Sequence, residues 1–143
     1  TLIETPLPGS TNDPSSAGAL LEIQNPTTLE RATFFLPPGG AWSALGDRGW
    51  MYRDPGGANG PCHFVLIRRG SKFRADCLGS KGIIPFSLDE SQQGTLHVTL
   101  QLGSARRYCI EFGGDVRRDT STANAPTAVF RARNAPPGGC PAP

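Results

Sequence analysis

The two histidines, His63 and His97, are the side chains best suited to act as a general base near neutral pH. Nucleophilic catalysis also needs a Ser or Cys within reach of that base and an acid behind it. His97 lies on the polar side of an alternating segment, and His63 is predicted to face Asp76 across a hairpin. No G-x-S-x-G turn accompanies either histidine. The sequence therefore predicts that the protein is not an enzyme, and a hydrolase is the third choice among its possible functions.

The acidic residues also lack a pattern typical of catalysis or metal binding. Asp89 and Glu90 are adjacent, so on an extended chain they point to opposite faces, whereas glycoside cleavage needs two carboxyl groups converging on one cleft. Asp54 and Asn59 offer oxygen ligands in a glycine-rich loop, but calcium loops use alternate positions and add a bidentate Glu. We predict no metal and no cofactor, and a calcium ion near Asp54 and Asn59 stays an alternative.

Four cysteines are spaced in a way that favours disulfides over zinc. Zinc sites group their ligands as C-x₂₋₄-C or interleave them with His, and neither pattern occurs here. Four cysteines permit three pairings. The predicted hairpin places Cys62 opposite Cys77, which leaves Cys109 to hold the tail through Cys140. Paired cysteines in a short, turn-rich chain predict a secreted, extracellular or cell-surface protein.

Three large aromatic residues, Trp42, Trp50 and Tyr52, admit two interpretations. If they were exposed in a row, they could stack on sugar rings, and the protein would be a carbohydrate-binding module. Trp50 and Tyr52 are two residues apart, however, so both can face one core, with Trp42 closing its end. Burial is the favoured interpretation, and the glycan-binding module is the alternative function.

The elements that must position these residues are strands. Leu96–Leu102 and Arg106–Phe112 alternate apolar and polar residues with period 2, and a three-residue loop separates them. Folding at that loop pairs Leu96 with Phe112, Val98 with Ile110 and Leu100 with Tyr108. A one-residue slip would turn one strand over and disrupt every apolar pair.

A second hairpin is predicted over Cys62–Arg69 and Lys72–Leu78. A two-residue turn at Arg69-Gly70, or one at Gly70-Ser71, puts one set of residues on a shared apolar face: Cys62, Phe64, Leu66, Phe73, Ala75 and Cys77. The other face then carries His63, Val65, Ile67, Lys72, Arg74 and Asp76. The Arg68-Arg69 doublet at the hairpin end is interpreted as a charged flank that resists edge-to-edge aggregation.

The rest of the chain is also predicted to be short strands and turns. Other strands are predicted at 20–25, 30–36, 50–52, 83–88, 115–119 and 127–133. The chain contains 18 Gly and 14 Pro in 143 residues, which suits many short strands joined by turns. We predict about nine or ten strands in an all-β, two-sheet antiparallel β-sandwich, with a partly closed barrel as the alternative. Residues 1–19 are predicted to be an extended arm in which Pro6, Pro8 and Pro14 exclude a helix, and residues 20–143 a single domain.

Composition limits the partners. The net charge of +2 does not indicate a nucleic-acid-binding protein, and no apolar run is long enough for a membrane helix. The chain begins at Thr1, as expected after removal of a secretory signal; a trimmed piece of a longer protein is the alternative.

One set of motifs resembles a cysteine-containing domain of uncharacterised secreted bacterial proteins. It comprises Gly49–Asp54, Gly60-Pro61-Cys62, Cys77, Phe86–Gly94, Tyr108-Cys109, Phe112-Gly113-Gly114 and Ala135-Pro136-Pro137 before Cys140, and it covers residues 29–142. The resemblance implies secretion, paired cysteines and a bacterial source. It implies no activity and no catalytic residue.

These patterns predict a secreted, non-enzymatic structural subunit that associates with copies of itself or with other cell-surface proteins. The predicted mechanism is β-strand addition, in which a segment around Leu2 and Ile3, or the first strand with Leu21 and Ile23, completes a neighbour's sheet edge. Head-to-tail contacts of this kind do not close and would give a filament.

Overall fold

The fold consists almost entirely of strands in the computed structural model, which describes residues 4–70, 72–77, 94–104, 107–120 and 129–133. The predicted strand 83–88, the adjacent acids Asp89 and Glu90, Leu2, Ile3 and Cys140 lie outside these ranges. The elements are α1 (Pro14–Ala17), β1 (Ala19–Gln24), β2 (Arg31–Leu36), β3 (Trp42–Ala44), β4 (Gly49–Arg53), β5 (Cys62–Arg68), β6 (Lys72–Cys77), β7 (Leu96–Leu102), β8 (Arg107–Phe112), β9 (Asp115–Thr120) and β10 (Val129–Arg133).

The first four-stranded sheet, here called sheet 1, has the antiparallel order β2-β1-β7-β8. The predicted register of the β7–β8 hairpin is confirmed in all three apolar pairs: Leu96 with Phe112, Val98 with Ile110, and Leu100 with Tyr108. In β2 the residues alternate between exposed and buried, as the sequence predicts, with Ala32, Phe34 and Leu36 buried. Sheet 1 therefore has one apolar face and one polar face.

The second sheet, sheet 2, has the antiparallel order β3-β4-β5-β6. Trp42 begins the edge strand β3 and pairs with Tyr52. Gly49 begins β4 at φ 152°, where a Cβ atom would overlap the Ile67 carbonyl oxygen, so only glycine fits.

The predicted faces of the β5–β6 hairpin are wrong for the middle of β5 and correct for β6. Arg68 pairs with Lys72 across a three-residue loop, so Ile67 faces Phe73 and Val65 faces Ala75. Because the register differs by one residue from both predicted turns, the β5 side chains between the loop and the bulge change face, whereas Phe73 and Ala75 of β6 stay on the core side as predicted. A β-bulge between Cys62 and Phe64 then restores the Cys62–Cys77 pair, and the predicted His63–Asp76 pairing is replaced by Phe64–Asp76.

The two sheets enclose one hydrophobic core, which confirms the predicted sandwich. Sheet 1 contributes mainly aliphatic side chains to it: Ala19, Leu21, Ala32, Phe34, Leu36, Val98, Leu100 and Leu102. Sheet 2 contributes the larger aromatic groups and two aliphatic ones: Trp42, Trp50, Tyr52, Cys62, Val65 and Ile67. A separate antiparallel pair, β9 and β10, follows Gly113 and Gly114.

One predicted disulfide is present, between Cys62 and Cys77 on the neighbouring strands β5 and β6. The described cysteines include no free thiol. The predicted Cys109–Cys140 bridge involves Cys140, which lies outside the described residues. A disulfide is consistent with a non-cytoplasmic protein.

The N-terminal arm contains a single helical turn, so the prediction that proline excludes a helix there is wrong. Pro14 occupies the first helical position, where the missing N–H costs nothing, and Asp13 caps the turn through the Ser15 N–H at 2.8 Å. Burial alone would raise the pKa of the Asp13 carboxyl, but hydrogen bonds from Ser15, Gly9 and Ser16 outweigh it and lower that pKa. The stabilising contribution of this carboxylate is therefore present near neutral pH and is lost as the pH falls below its folded-state pKa.

The described part of the arm, from Glu4 to Gly18, is attached to the domain at both sheets. The Trp50 indole N–H of sheet 2 donates to the Pro6 carbonyl at 2.8 Å, and the Tyr108 hydroxyl of sheet 1 donates to the Glu4 carbonyl. Farther along, the Ser104 N–H donates to the Asn12 side chain at 2.9 Å. Residues 4–18 are thus part of the folded domain rather than a free extension.

Candidate interaction surfaces

The two histidines lie in different surroundings, and neither is beside a catalytic set among the described residues. His97 is on β7, where its Nε2 atom is 3.0 Å from Glu111 Oε2 on β8. The His63 Nδ1 atom is buried without a hydrogen-bond partner in the part of the chain that the structure describes. Within the same ranges no three His, Cys, Asp or Glu side chains are grouped to hold a metal ion.

Asp54, the candidate calcium ligand, instead organises its own loop. Its side chain is buried, and its two carboxylate oxygens accept hydrogen bonds from the Ala58 N–H at 3.0 Å and the Asn59 N–H at 2.8 Å. Backbone donors therefore satisfy both oxygens, as expected for an Asp that initiates a turn.

Trp42, Trp50 and Tyr52 are core residues, with exposures of 5%, 2% and 0%. The Trp42 and Tyr52 rings pack with their centroids 5.1 Å apart, and the Trp42 indole N–H donates to the Pro37 carbonyl. Burial raises the pKa of Tyr52, the Asp54 carboxylate raises it further, and Asn59 opposes the shift. The exposed aromatic row that a sugar-stacking site would need is not formed by these residues.

The strand proposed as a donor for strand addition has no free edge. Leu21 and Ile23 lie in β1, which is paired with β2 on one side and with β7 on the other. Leu21 is fully buried. β1 therefore cannot pair with a neighbour unless sheet 1 opens, and of the two predicted donor segments only the one with Leu2 and Ile3 stays a prediction.

Among the described strands the edges of sheet 1 are β2 and β8, and β2 pairs there only with β1. The Asn25 N–H bonds to the Glu30 carbonyl at 2.9 Å, which identifies this opposed pair as hydrogen-bonded. Because such pairs alternate along an antiparallel ladder, Ala32 and Phe34 direct their backbone groups toward β1. Thr33 and Phe35 therefore direct their N–H and C=O groups away from β1, toward the open edge.

Apolar side chains and a groove accompany this edge. Phe35 is 56% exposed and lies opposite Leu20 of β1, which is 37% exposed. A groove of about 350 Å³ runs beside the strand, and it is lined by Thr33, Phe34, Phe35, Leu36, Pro37, Asn59, Pro61 and Cys62. We call β2 with this groove the β2 edge.

The outer face of sheet 1 has balanced charges. Glu22 lies 3.7 Å from the Arg31 guanidinium, and Glu111 is paired with His97. Arg107 donates to the Gln101 side chain across the β7–β8 pair at 2.7 Å. Two Arg and two Glu therefore share this face, and each contacts a polar neighbour on it.

The outer face of sheet 2 has an excess of positive charge. The pairing of β4, β5 and β6 places Arg53, Arg68, Lys72 and Arg74 on it, together with one acid, Asp76. Asp76 is bonded to Arg74 at 2.6 Å, and the Arg74 guanidinium also lies 5.0 Å from the centre of the Phe64 ring. We call this surface, with Met51, Leu66 and the adjoining Arg48, the basic face.

The basic face could not be predicted from the sequence, because the pattern of β5 favours the opposite assignment of its two sides. The Arg68-Arg69 doublet is a local signal, but the doublet alone does not show that Lys72 and Arg74 share a surface with Arg68. Whether these three residues share a surface depends on the length of the β5–β6 loop and on the bulge in β5.

Comparisons with known proteins give no further guide to function. No protein-family model, curated protein or solved structure matches the chain. Within the described ranges, no helix has the length and apolar character needed to cross a membrane.

Proposed function

We propose that this protein is a secreted, non-enzymatic structural subunit that self-associates by strand addition at the β2 edge. The observation that carries this proposal is the row of outward-directed backbone groups at Thr33 and Phe35. An edge of this kind pairs readily with another extended segment unless charge, proline or a bulge blocks it. Arg31 is the only charged residue of β2, and the strand contains no proline.

The side chains next to the edge support the same function. A segment added beside β2 would cover Phe35, whose ring is more than half exposed, and would occupy the groove of about 350 Å³. Main-chain hydrogen bonds would supply affinity, while alternate side chains of the added strand would set its register.

The proposed donor is the segment with Leu2 and Ile3 of another copy. Because the Glu4 and Pro6 carbonyls are bonded to the domain, the test deletion must end at residue 3. Deleting residues 1–3 should abolish self-association without lowering the thermal midpoint. If the truncated protein still assembles and Thr33→Pro does not, the donor is the β2 strand of a second copy instead.

The decisive comparison is between Thr33→Pro and Thr33→Ala. Proline at this position removes an N–H that faces the open edge and leaves the hydrogen bonds to β1 in place. Alanine keeps the N–H and serves as the matched control. We expect the wild type and Thr33→Ala to gain mass with concentration in sedimentation velocity, and Thr33→Pro to stay monomeric with unchanged circular dichroism. A wild type that is monomeric at all concentrations, or a folded Thr33→Pro variant that assembles normally, would contradict the proposal.

A further inference from the structure

Four of the five cations of the basic face have no counter-charge among the described residues. Arg48, Arg53 and Lys72 are exposed, and Arg68 is half-buried. No described carboxylate forms an ion pair with any of these four residues. The acid on this face, Asp76, is already bonded to Arg74.

Two of these cations are placed against each other. Arg68 and Lys72 are directly opposed in the β5–β6 register, so their side chains leave the same face from neighbouring strands. Like charges in directly opposed positions destabilise a sheet. The arrangement therefore works against folding stability, whereas an anion bound between the two side chains would relieve the repulsion.

Beside this pair is a cleft suited to an anionic group attached to an apolar surface. It has a volume of about 410 Å³ and is lined by Leu45, Arg48, Leu66 and Arg68. A guanidinium can donate two parallel hydrogen bonds to one carboxylate or sulfate. The two leucines give the same cleft an apolar part of its lining.

The cations also extend beyond the cleft. Arg53 pairs with Phe64, which is four residues before Arg68 on β5, so the charged positions span about 13 Å along the strand direction. A single small anion would occupy one end of this span. A polymer that repeats its negative charges would contact both ends.

We propose that the basic face binds an acidic polysaccharide, one that carries carboxylate or sulfate groups along its chain. A membrane surface fits less well, because surface-bound proteins insert protruding apolar side chains between lipids. The apolar residues of this face, Met51, Phe64 and Leu66, are only half-exposed. Among the described residues, the large apolar side chains that are exposed lie elsewhere: Leu7, Leu20, Leu29 and Phe35.

The test uses the full chain, immobilised at low density so that self-association does not add avidity. The probes are heparin and polygalacturonate as acidic polysaccharides, dextran as a neutral one, and phosphatidylglycerol vesicles as an anionic membrane. The test variant is Arg68→Gln/Lys72→Gln. The matched control, Arg31→Gln/Arg107→Gln, removes the same charge from the outer face of sheet 1.

We expect both acidic polysaccharides to bind the wild type and dextran not to bind. Each cation that contacts the polymer releases about one counterion, so affinity decreases as salt rises. In the test variant the plot of log affinity against log salt should be less steep than in the wild type, by about 2 in slope. The control variant should keep the wild-type slope. The proposal is overturned if both variants lose affinity equally, if no acidic polysaccharide binds, or if the vesicles bind as tightly as the polysaccharides.

Discussion

The outer faces of the two sheets differ in their balance of positive and negative side chains. On sheet 1, Arg31 is placed near Glu22, His97 near Glu111 and Arg107 near Gln101, and the two Arg and two Glu of the face balance in charge. On sheet 2, Arg68 and Lys72 oppose each other without a carboxylate. The whole-chain net charge of +2 hides this contrast, since it averages a balanced surface with a cationic one. A small net charge therefore says little about whether one face attracts anions.

The largest expected effect concerns the covalent brace of sheet 2. The Cys62–Cys77 bridge closes a loop with a sequence separation of 15 across β5 and β6. Replacing both residues in Cys62→Ala/Cys77→Ala should lower the free energy of unfolding by about 3 kcal/mol, because the unfolded chain regains conformational freedom. Urea unfolding measures this loss. A decrease below about 1 kcal/mol would show that the β5–β6 ladder does not depend on the bridge.

A smaller effect is expected at the tryptophans that sheet 2 places in the core. Trp50→Phe removes the indole N–H that holds the Pro6 carbonyl, which should cost about 1 kcal/mol and increase amide exchange at Thr5 and Leu7. Trp42→Phe is the matched control, because its N–H bonds to Pro37, only five residues away. Equal exchange in the arm of both variants would show that the Trp50 bond does not hold the arm.

The smallest expected effect tests the charge contrast itself, and its sign differs between the two sheets. Lys72→Glu turns the opposed pair with Arg68 into an attractive one and should raise the free energy of unfolding by about 0.5 kcal/mol. Arg31→Glu places a second carboxylate beside Glu22 and should lower that free energy by a similar amount. Both effects should shrink at high salt. If thermal or urea unfolding shows that both substitutions change the free energy of unfolding in the same direction, the two faces do not differ in charge balance as described.

How far the sequence predicts this fold depends on how distinct the two sides of each strand are. The β7–β8 register could be predicted because the apolar residues of β7, such as Val98 and Leu100, alternate with polar ones such as Thr99. In β5 both sides are apolar, with Val65 facing inward and Leu66 outward. The alternation of residues therefore does not show which set of β5 side chains faces the core. The three-residue loop and the bulge decide the register, and neither leaves a distinct sequence signal.

The candidate surfaces were predictable to different degrees. Burial of Trp50 and Tyr52 followed from their spacing of two residues on one strand, and the structure confirms it. The β2 edge could not be predicted because it depends on the order of strands in sheet 1, where β1 is paired on both sides. Local patterns predict strands well, but which strand lies at an edge is decided by contacts between distant parts of the chain.

The most direct test of self-association through the β2 edge is amide hydrogen exchange at Thr33 and Phe35, measured residue by residue as the protein concentration rises. Phe34, whose N–H is directed toward β1, is the internal control and should be protected at every concentration. If copies associate by strand addition at the β2 edge, the Thr33 and Phe35 amides exchange freely in the dilute monomer and become protected as the mass of the assembled particles increases. Assembled protein in which these two amides still exchange as fast as in the monomer would contradict it.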